Sequence, residues 1–257
     1  MTEEVAQQEN VLQEPTKPPF KVFVAVLAHD TKVHVPCVQG LINAGQLFQV
    51  SGIPFEIHFE AGSGGCSMLR NKLVRVFLES DCTDMVFIDS DVGFTPEAFR
   101  DLISSTENVI AGVYPKKEEK EVYPLRLKFY LDEKGIERPI VENGICEAEG
   151  LPAGFLKIRR EVFEKMIAAY PELEYDEPFA NKKNYSFFGE FIKDQVLYLD
   201  DFAFCYRWRA IGGRCWALPN ITFIHCGQKH FVGNLHDFML QPQEGGPKWT
   251  SDKPAKK

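Results

Sequence analysis

The stretch "MVFIDSDVGF" (residues 85–94) ends an apolar run with two acids one residue apart, Asp89 and Asp91. In an extended chain both would face the same side, about 7 Å apart by strand rise. Carboxylates held that near repel each other, so one takes up a proton unless a cation separates them. A divalent ion with oxygen ligands resolves the conflict. An isolated pair of this kind also fits a turn, with Asp91 as its cap and Asp89 merely exposed. The hydrophobic strand before the pair favours the site, because open α/β sheets bind ligands beyond the carboxyl ends of their strands.

Three further segments carry usable chemistry. In "FIHCGQKHFVG" (223–233), His225 follows the apolar "ITFI" and so also falls at a strand end. A histidine added to two carboxylates suits Mn2+. Gly227 allows a close backbone approach, and Lys229 can neutralise a phosphate. A loop histidine with an incidental lysine is the plainer alternative. In "YLDDFAFCYRWRAIGG", Asp200 fits a helix N-cap and Asp201 the first turn. There the helix dipole favours the charge and keeps Asp201 ionised at neutral pH, as a general base requires. Two acids that simply start a helix fit the segment equally well. Lastly, "GSGGCS" leads into a helix bearing Arg70. A Gly-rich turn at a helix start can present N–H groups to an anion, or only join strand to helix. It matches neither glycine motif of phosphate loops.

The elements that must position these residues alternate. "KVFVAVLA" (21–28) is a Val-rich run, the pattern of a buried parallel strand. "VPCVQGLINAGQLFQV" has helical spacing at Val38, Leu41, Ile42 and Leu47. "PFEIHFEA" (54–61) reads as a second strand. "SMLRNKLVRVFLES" is the clearest helix, with Leu69, Leu73, Val76 and Phe77 on one face and Arg70, Lys72 and Arg75 off it. After the strand "MVFID", Thr95 offers an N-cap with Pro96 at the first helical position. "NVIAGVY" is a fourth strand. Alternation up to residue 114 predicts an α/β layer with a mostly parallel sheet. Beyond it, "KKEEKE" (116–121) reads as a solvated loop, and residues 171–195 as an aromatic, turn-rich loop over a surface. "DDFAFCYRWRAIGG" reads as a helix stopped by Gly212 or Gly213.

The chain has 257 residues, 44% of them hydrophobic and 26% charged, with a net charge of −8. This is the profile of an ordinary globular protein, and it lacks the global basic field of a nucleic-acid binder. No apolar run approaches the roughly 20 residues of a membrane span. "MTEEVAQQEN" lacks the basic and apolar regions of a secretory signal. Seven cysteines without a CxxC pair argue against a zinc site or a disulfide framework. They read as reduced thiols, and the expected compartment is the cytoplasm, or the host's for a viral or phage chain.

In order, "LRNKLV", "MVFIDSDVGF", "VIAGVYPKK", "PAGFLKIRREVF", "DDFAFCYRWRAIGG" and "IHCGQ" resemble nucleotide-sugar-dependent glycosyltransferases of the GT-A type. The likeness is to small viral, phage and bacterial members, over roughly residues 20 to 235. It implies a GT-A, Rossmann-like single domain at 20–238. Residues 20–115 would be its nucleotide-binding half and 116–238 its acceptor half, between a flexible arm (1–19) and tail (239–257). It implies that Asp91 and Asp89 hold Mn2+ or Mg2+ against the donor diphosphate and that His225 completes the metal shell. Ala28, His29, Asp30, Arg70 and Ser90 match where such enzymes hold the nucleotide. Gly154, in "PAGF", flanks the donor sugar, and Lys229 is expected near the phosphates. Asp201 resembles the base of inverting members, whose pattern is commonly Glu-Asp. The first acid here is Asp200. A grouping of His225, Gly227 and Lys229 also fits retaining members. The implied donor is a uridine diphosphate sugar. The implied acceptor is a glycan or small molecule, with a modified base in phage DNA as a further option. The aromatic "NYSFFGEF" (184–191) and Trp208 could stack on a ring, though several of these side chains are expected in the core.

Two other functions fit parts of this pattern. A haloacid dehalogenase-type phosphatase also uses a strand-end DxD and a later acid pair. Its motif wants Thr or Val where Gly93 stands, and it has no strands before the motif. A non-catalytic nucleotide-sugar-binding module of the same fold would not need Asp89, Asp91, Asp201 and His225 together.

Overall fold

The computed structural model describes residues 21–62, 65–176 and 182–241. The expected arm at 1–19 lies outside them, as does the expected tail beyond residue 241. The first half runs β1 (Val22–Ala28), α1 (Val35–Ser51), β2 (Phe55–Ala61), α2 (Cys66–Glu79), β3 (Asp84–Asp89), β4 (Val92–Gly93), α3 (Pro96–Ser104) and β5 (Val109–Gly112). Then come β6 (Arg126–Leu127), β7 (Phe129–Leu131), β8 (Glu137–Pro139), β9 (Val141–Glu142), β10 (Ile145–Gly150), β11 (Phe155–Arg159) and α4 (Arg160–Ala169). The last part holds the hairpins β12 (Glu174–Asp176) with β13 (Lys183–Tyr185) and β14 (Phe191–Lys193) with β15 (Val196–Tyr198). It closes with α5 (Asp200–Ala210), β16 (Cys215–Leu218), β17 (Thr222–Cys226), β18 (His230–Asn234) and α6 (Leu235–Leu240).

The nine-stranded sheet has the order β2-β1-β3-β11-β5-β16-β10-β6, with β9 beside β10. Strands β2, β1, β3, β5 and β16 point one way, as do β6 and β9, and only β10 and β11 run against them. The fold class is thus the expected one: α/β, a central sheet mostly parallel in direction, and small antiparallel sheets beside it. The reversed β11 pairs Phe155 with Ile88, so its start, not its end, reaches the carboxyl end of β3.

The sheet is buried on both faces because helices cover each side. Along β1, Val22, Val24 and Val26 pack with Leu41 and Phe48 of α1 and with Phe99 and Leu102 of α3. The alternate residues Phe23, Ala25 and Leu27 pack with Leu69 and Leu73 of α2, Phe163 of α4 and Phe204 of α5. Each fully buried large side chain contributes roughly 1.5–3 kcal/mol. Helix α1 buries a different stripe from the expected one. Cys37, Leu41, Ala44 and Phe48 face the sheet, while Val38 and Ile42 are exposed. Gly40 explains part of this: a Cβ there would press on Phe94, so the helix sits close through its small residues. The aromatic segment is not simply a surface loop. Phe187 and Phe188 are fully buried, as is most of Trp208. Among the described residues no helix is long and apolar enough to cross a membrane.

Candidate active site

Asp89 is the last residue of β3, and Asp91 lies in the turn before β4. They diverge, and each meets its own cation. Asp89 Oδ1 accepts from Arg70 Nη2 at 3.1 Å, and Asp89 Oδ2 accepts from the Tyr114 hydroxyl at 3.1 Å. Asp91 Oδ2 accepts from Lys117 Nζ, and its Oδ1 lies 3.6 Å from His225 Nε2. The repulsion expected between the two acids is therefore answered by side chains, and neither needs the other's proton. Burial alone would push the Asp91 carboxyl up. His225 and Lys117 outweigh burial and bring it down to about 2.

Strand pairing explains how His225 arrives. Strand β17 runs antiparallel to β4, with His225 opposite Val92, and the Cys226 N–H donates to the Asp91 carbonyl at 2.8 Å. The His225 Nδ1–H donates to the Pro115 carbonyl at 2.8 Å. That bond fixes the ring and turns Nε2 toward Asp91. An imidazole nitrogen beside a carboxylate is a donor set that fits Mn2+. The only candidate cluster of three or more ligand side chains among the described residues, Glu56, Asp81 and Cys82, is elsewhere. It flanks the starts of β2 and β3, at the far end of the sheet, and Lys21 already neutralises it at 2.5 Å from Asp81 and 3.4 Å from Glu56. A cleft of about 760 Å3, lined in part by Asn108, Trp208 and Arg214, also lies at that far end.

Arg70 joins the motif to α5. Its Nη1 donates to Asp200 Oδ2 while Nη2 holds Asp89. The residue is only 5% exposed, and its Nε has no partner. Burial acts against the guanidinium charge, but Asp89, Asp200 and Asp201 more than compensate and raise its pKa. An arginine off the apolar face of α2, expected at the nucleotide, is thus an internal link. We expect Arg70→Met to leave two carboxylates without their partner and to cost about 3 kcal/mol in urea unfolding. A loss well under 1 kcal/mol would mean that water, not Arg70, supports those acids.

The acid pair departs from its expected geometry. Leu199, not Asp200, occupies the N-cap, and both acids fall in the first turn. Asp200 spends its carboxylate on Arg70 rather than on capping. Asp201 Oδ1 accepts the Phe202 N–H at 2.8 Å. Burial works against the effect expected of the helix dipole on Asp201. Burial pushes its carboxyl up to about 7, Asp200 adds to the rise, and Arg70 offsets part of it.

Gly154 precedes β11 and accepts the Asp89 N–H at 3.0 Å. A Cβ on it would overlap the Tyr114 hydroxyl and Asp89 Oδ2, which makes glycine a steric requirement here. Gly154→Ala should shift both groups, cost about 1–3 kcal/mol by overpacking, and weaken any activity that needs Asp89. Wild-type unfolding and turnover in that variant would show that the contact relaxes freely.

The remaining expected residues are spread more widely. Ser90 is buried and works through its backbone: its N–H donates to Leu27 and its carbonyl accepts from His34, at 2.9 and 2.8 Å. Ala28 ends β1 in the core. His29 and Asp30 stand on the exposed turn after it, and Asp30 Oδ1 accepts the Lys32 N–H at 3.2 Å within that turn. Lys229 pairs with Glu119 at 2.8 Å on the surface, so Lys117, not Lys229, stands at Asp91. Tyr114, the Pro115 carbonyl and Lys117 are site groups that the sequence did not single out.

Fold and site together define a mixed α/β chain with acids, an imidazole and a buried arginine gathered at the carboxyl end of its sheet. No family model matches the chain, and no curated protein matches it. Among solved structures it is similar to A197 from STIV, with 18% identity over 84% of this chain and 91% of that one, at a TM-score of 0.49. It is also similar to GalNAc-T7 solved with UDP, GalNAc and Mn2+, with 10% identity over 79% of this chain and 42% of that one, at 0.44. A third is the catalytic domain of Drosophila beta1,4galactosyltransferase 7 in complex with xylobiose, with 15% identity over 89% of this chain and 76% of that one, at 0.43. With identities this low and scores below one half, the function rests on the site's own chemistry.

Proposed function

We propose that the chain is a metal-dependent glycosyltransferase. It moves a sugar from a nucleoside diphosphate sugar, uridine-linked in the first instance, to a hydroxyl on a glycan or small molecule. One observation carries this reading: Arg70 ties Asp89 at the end of β3 to Asp200, beside Asp201 with its raised pKa, while His225 lies against Asp91. Distant segments thus bring cation ligands and a tuned carboxylate to one end of the sheet, where α/β proteins bind ligands.

Asp91 and His225 are the residues that would hold Mn2+ or Mg2+; Asp89, which diverges toward Arg70 and Tyr114, would have to turn to join them. A divalent ion bound there supplies Lewis-acid neutralisation of the leaving diphosphate. The chain's own groups do the rest. Asp201 Oδ1 is taken by the Phe202 N–H, so Oδ2 accepts the proton of the acceptor hydroxyl. As that proton leaves, the acceptor oxygen bonds to the anomeric carbon. The bond from that carbon to the phosphate oxygen breaks, the nucleoside diphosphate departs, and the configuration inverts. Arg70 positions the first turn of α5 through Asp200, and Gly154 lets Asp89 and Tyr114 sit close against the backbone at the side assigned to the donor sugar. The exposed turn of His29 and Asp30, backed by the buried Ala28 and Ser90, forms the side assigned to the nucleoside, while Lys229, expected near the phosphates, is paired with Glu119.

A phosphatase of the haloacid dehalogenase type wants Thr or Val where Gly93 stands and begins with the motif strand, whereas β1 and β2 precede β3 here. The donor is tested by a thermal-shift screen of nucleotide-sugars with and without Mn2+, since ligands that bind the native state raise its stability by mass action. One donor should stand out, and only with Mn2+. A panel with no shift would overturn the reading.

A further inference from the structure

The segment after β5 touches every group assigned to the cation. The Tyr114 hydroxyl donates to Asp89, the Pro115 carbonyl accepts from His225, and Lys117 Nζ donates to Asp91. Two residues on, Glu119 pairs with Lys229 at the turn between β17 and β18, at 2.8 and 2.9 Å. The Lys116 N–H donates to the Val122 carbonyl at 2.8 Å and closes the loop. The Lys117 stem lies along Gly227, where a Cβ would come within 3.1 Å of its Cδ. Lys117 is 37% exposed in its side chain, against 17% for Asp91, so the ammonium approaches the acid from the solvent side.

A carboxylate only 17% exposed is favoured by a positive charge beside it. Lys117 is that cation here. A divalent ion between Asp91 and His225 would set a second positive charge against the ammonium at contact range, and the two would repel. Lys117 then has no reason to stay on Asp91. A donor diphosphate arriving at the filled site offers fresh anionic oxygens within reach of the same flexible stem. We propose that Lys117 is a built-in placeholder: it occupies Asp91 until a divalent cation binds there, and then turns onto the diphosphate of the nucleotide. The segment from Tyr114 to Glu119 is the strap that carries it, anchored at its far side by Glu119 and Lys229.

This inference rests on the donor and metal reading above. It makes a separable claim, that cation and nucleotide bind cooperatively because one displaces Lys117 and the other receives it. The test is calorimetric titration of MnCl2 and of uridine diphosphate, each alone and together, with no turnover involved. Lys117→Met keeps the stem on Gly227 and removes the charge. It should bind Mn2+ alone about tenfold more tightly than wild type, bind uridine diphosphate with Mn2+ about tenfold more weakly, and lose most of the coupling between them. Lys117→Arg should restore the wild-type pattern, which separates charge from folding. Mn2+ binding to Lys117→Met that is no tighter than wild type overturns the placeholder and leaves the metal site standing. Absence of Mn2+ binding in wild type and variants alike, with or without the nucleotide, overturns both.

Discussion

Asp201→Asn is expected to keep donor binding and to lose transfer by about 10³-fold, within the usual range for removal of a general base. Asparagine preserves the shape of the first turn of α5 and can still accept the Phe202 N–H, so loss of packing is not the cause. What disappears is the carboxylate oxygen that takes the acceptor's proton. The pH profile gives the same residue a second signature. Burial pushes the Asp201 carboxyl up to about 7, with Asp200 adding to the rise. The base acts only when deprotonated, so the wild-type rate should climb about tenfold per pH unit below 7 and level off above it. Stability should move in the opposite sense. A carboxyl whose folded pKa lies above its unfolded value of about 4 binds more protons when folded. Its stabilising contribution is complete below about pH 4 and is lost as pH rises through 7, and Asp201→Asn should remove that slope from urea unfolding. A flat rate profile in wild type, or full turnover in the variant, would take Asp201 out of the base role and favour a retaining reaction.

The second large effect is expected at Asp91. Its carboxyl stays ionised down to about pH 2, because His225 and Lys117 overcome the cost of burial. Asp91→Ala deprives His225 Nε2 of the acid beside it and frees Lys117. Loss of groups that merely support a metal ligand costs about 10–100-fold in affinity, so loss of the ligand itself should weaken Mn2+-dependent donor binding by at least about 100-fold. Titration heats for Mn2+ with a uridine diphosphate sugar give the answer. Unchanged heats in Asp91→Ala would place the cation elsewhere.

Much of this arrangement was legible before any coordinates. The Val-rich first strand, the helix with Leu69 and Leu73, and the Thr95–Pro96 helix start are local signals. The Thr95 hydroxyl does accept the Ala98 N–H at 3.2 Å. Asp89, Asp91, Asp201 and His225 stood out because each sits where an apolar run or a helix begins or ends. Other features depend on partners distant in the chain. Arg70 stands out in sequence only as a candidate nucleotide contact off the apolar face of its helix, and its bridge from Asp89 to Asp200 depends on contacts across the chain. Lys117 lies in "KKEEKE", which has the composition of a solvated loop. That loop meets Asp91 and the β17–β18 turn through Lys117 and Glu119, contacts between segments far apart in the chain. Lys157 sits fully buried in β11, with its ammonium on the Ser105 carbonyl, and no local pattern marks it. Of the expected stripe on α1, Leu41 is buried, but Cys37, Gly40 and Ala44 pack through small size, which hydrophobic bulk does not mark. The pKa of Asp201 follows from burial, which no residue spacing reports.

The most direct measurement is release of nucleoside diphosphate from a panel of nucleotide-sugars, in wild type and in Asp201→Asn, with and without Mn2+. A glycosyltransferase of the kind proposed releases nucleoside diphosphate from one donor class, needs Mn2+ to do so, and is slowed by loss of Asp201 far more than its donor binding is. Release of inorganic phosphate from simple phosphoesters, or donor binding with no nucleoside diphosphate formed by wild type under any condition, would contradict it.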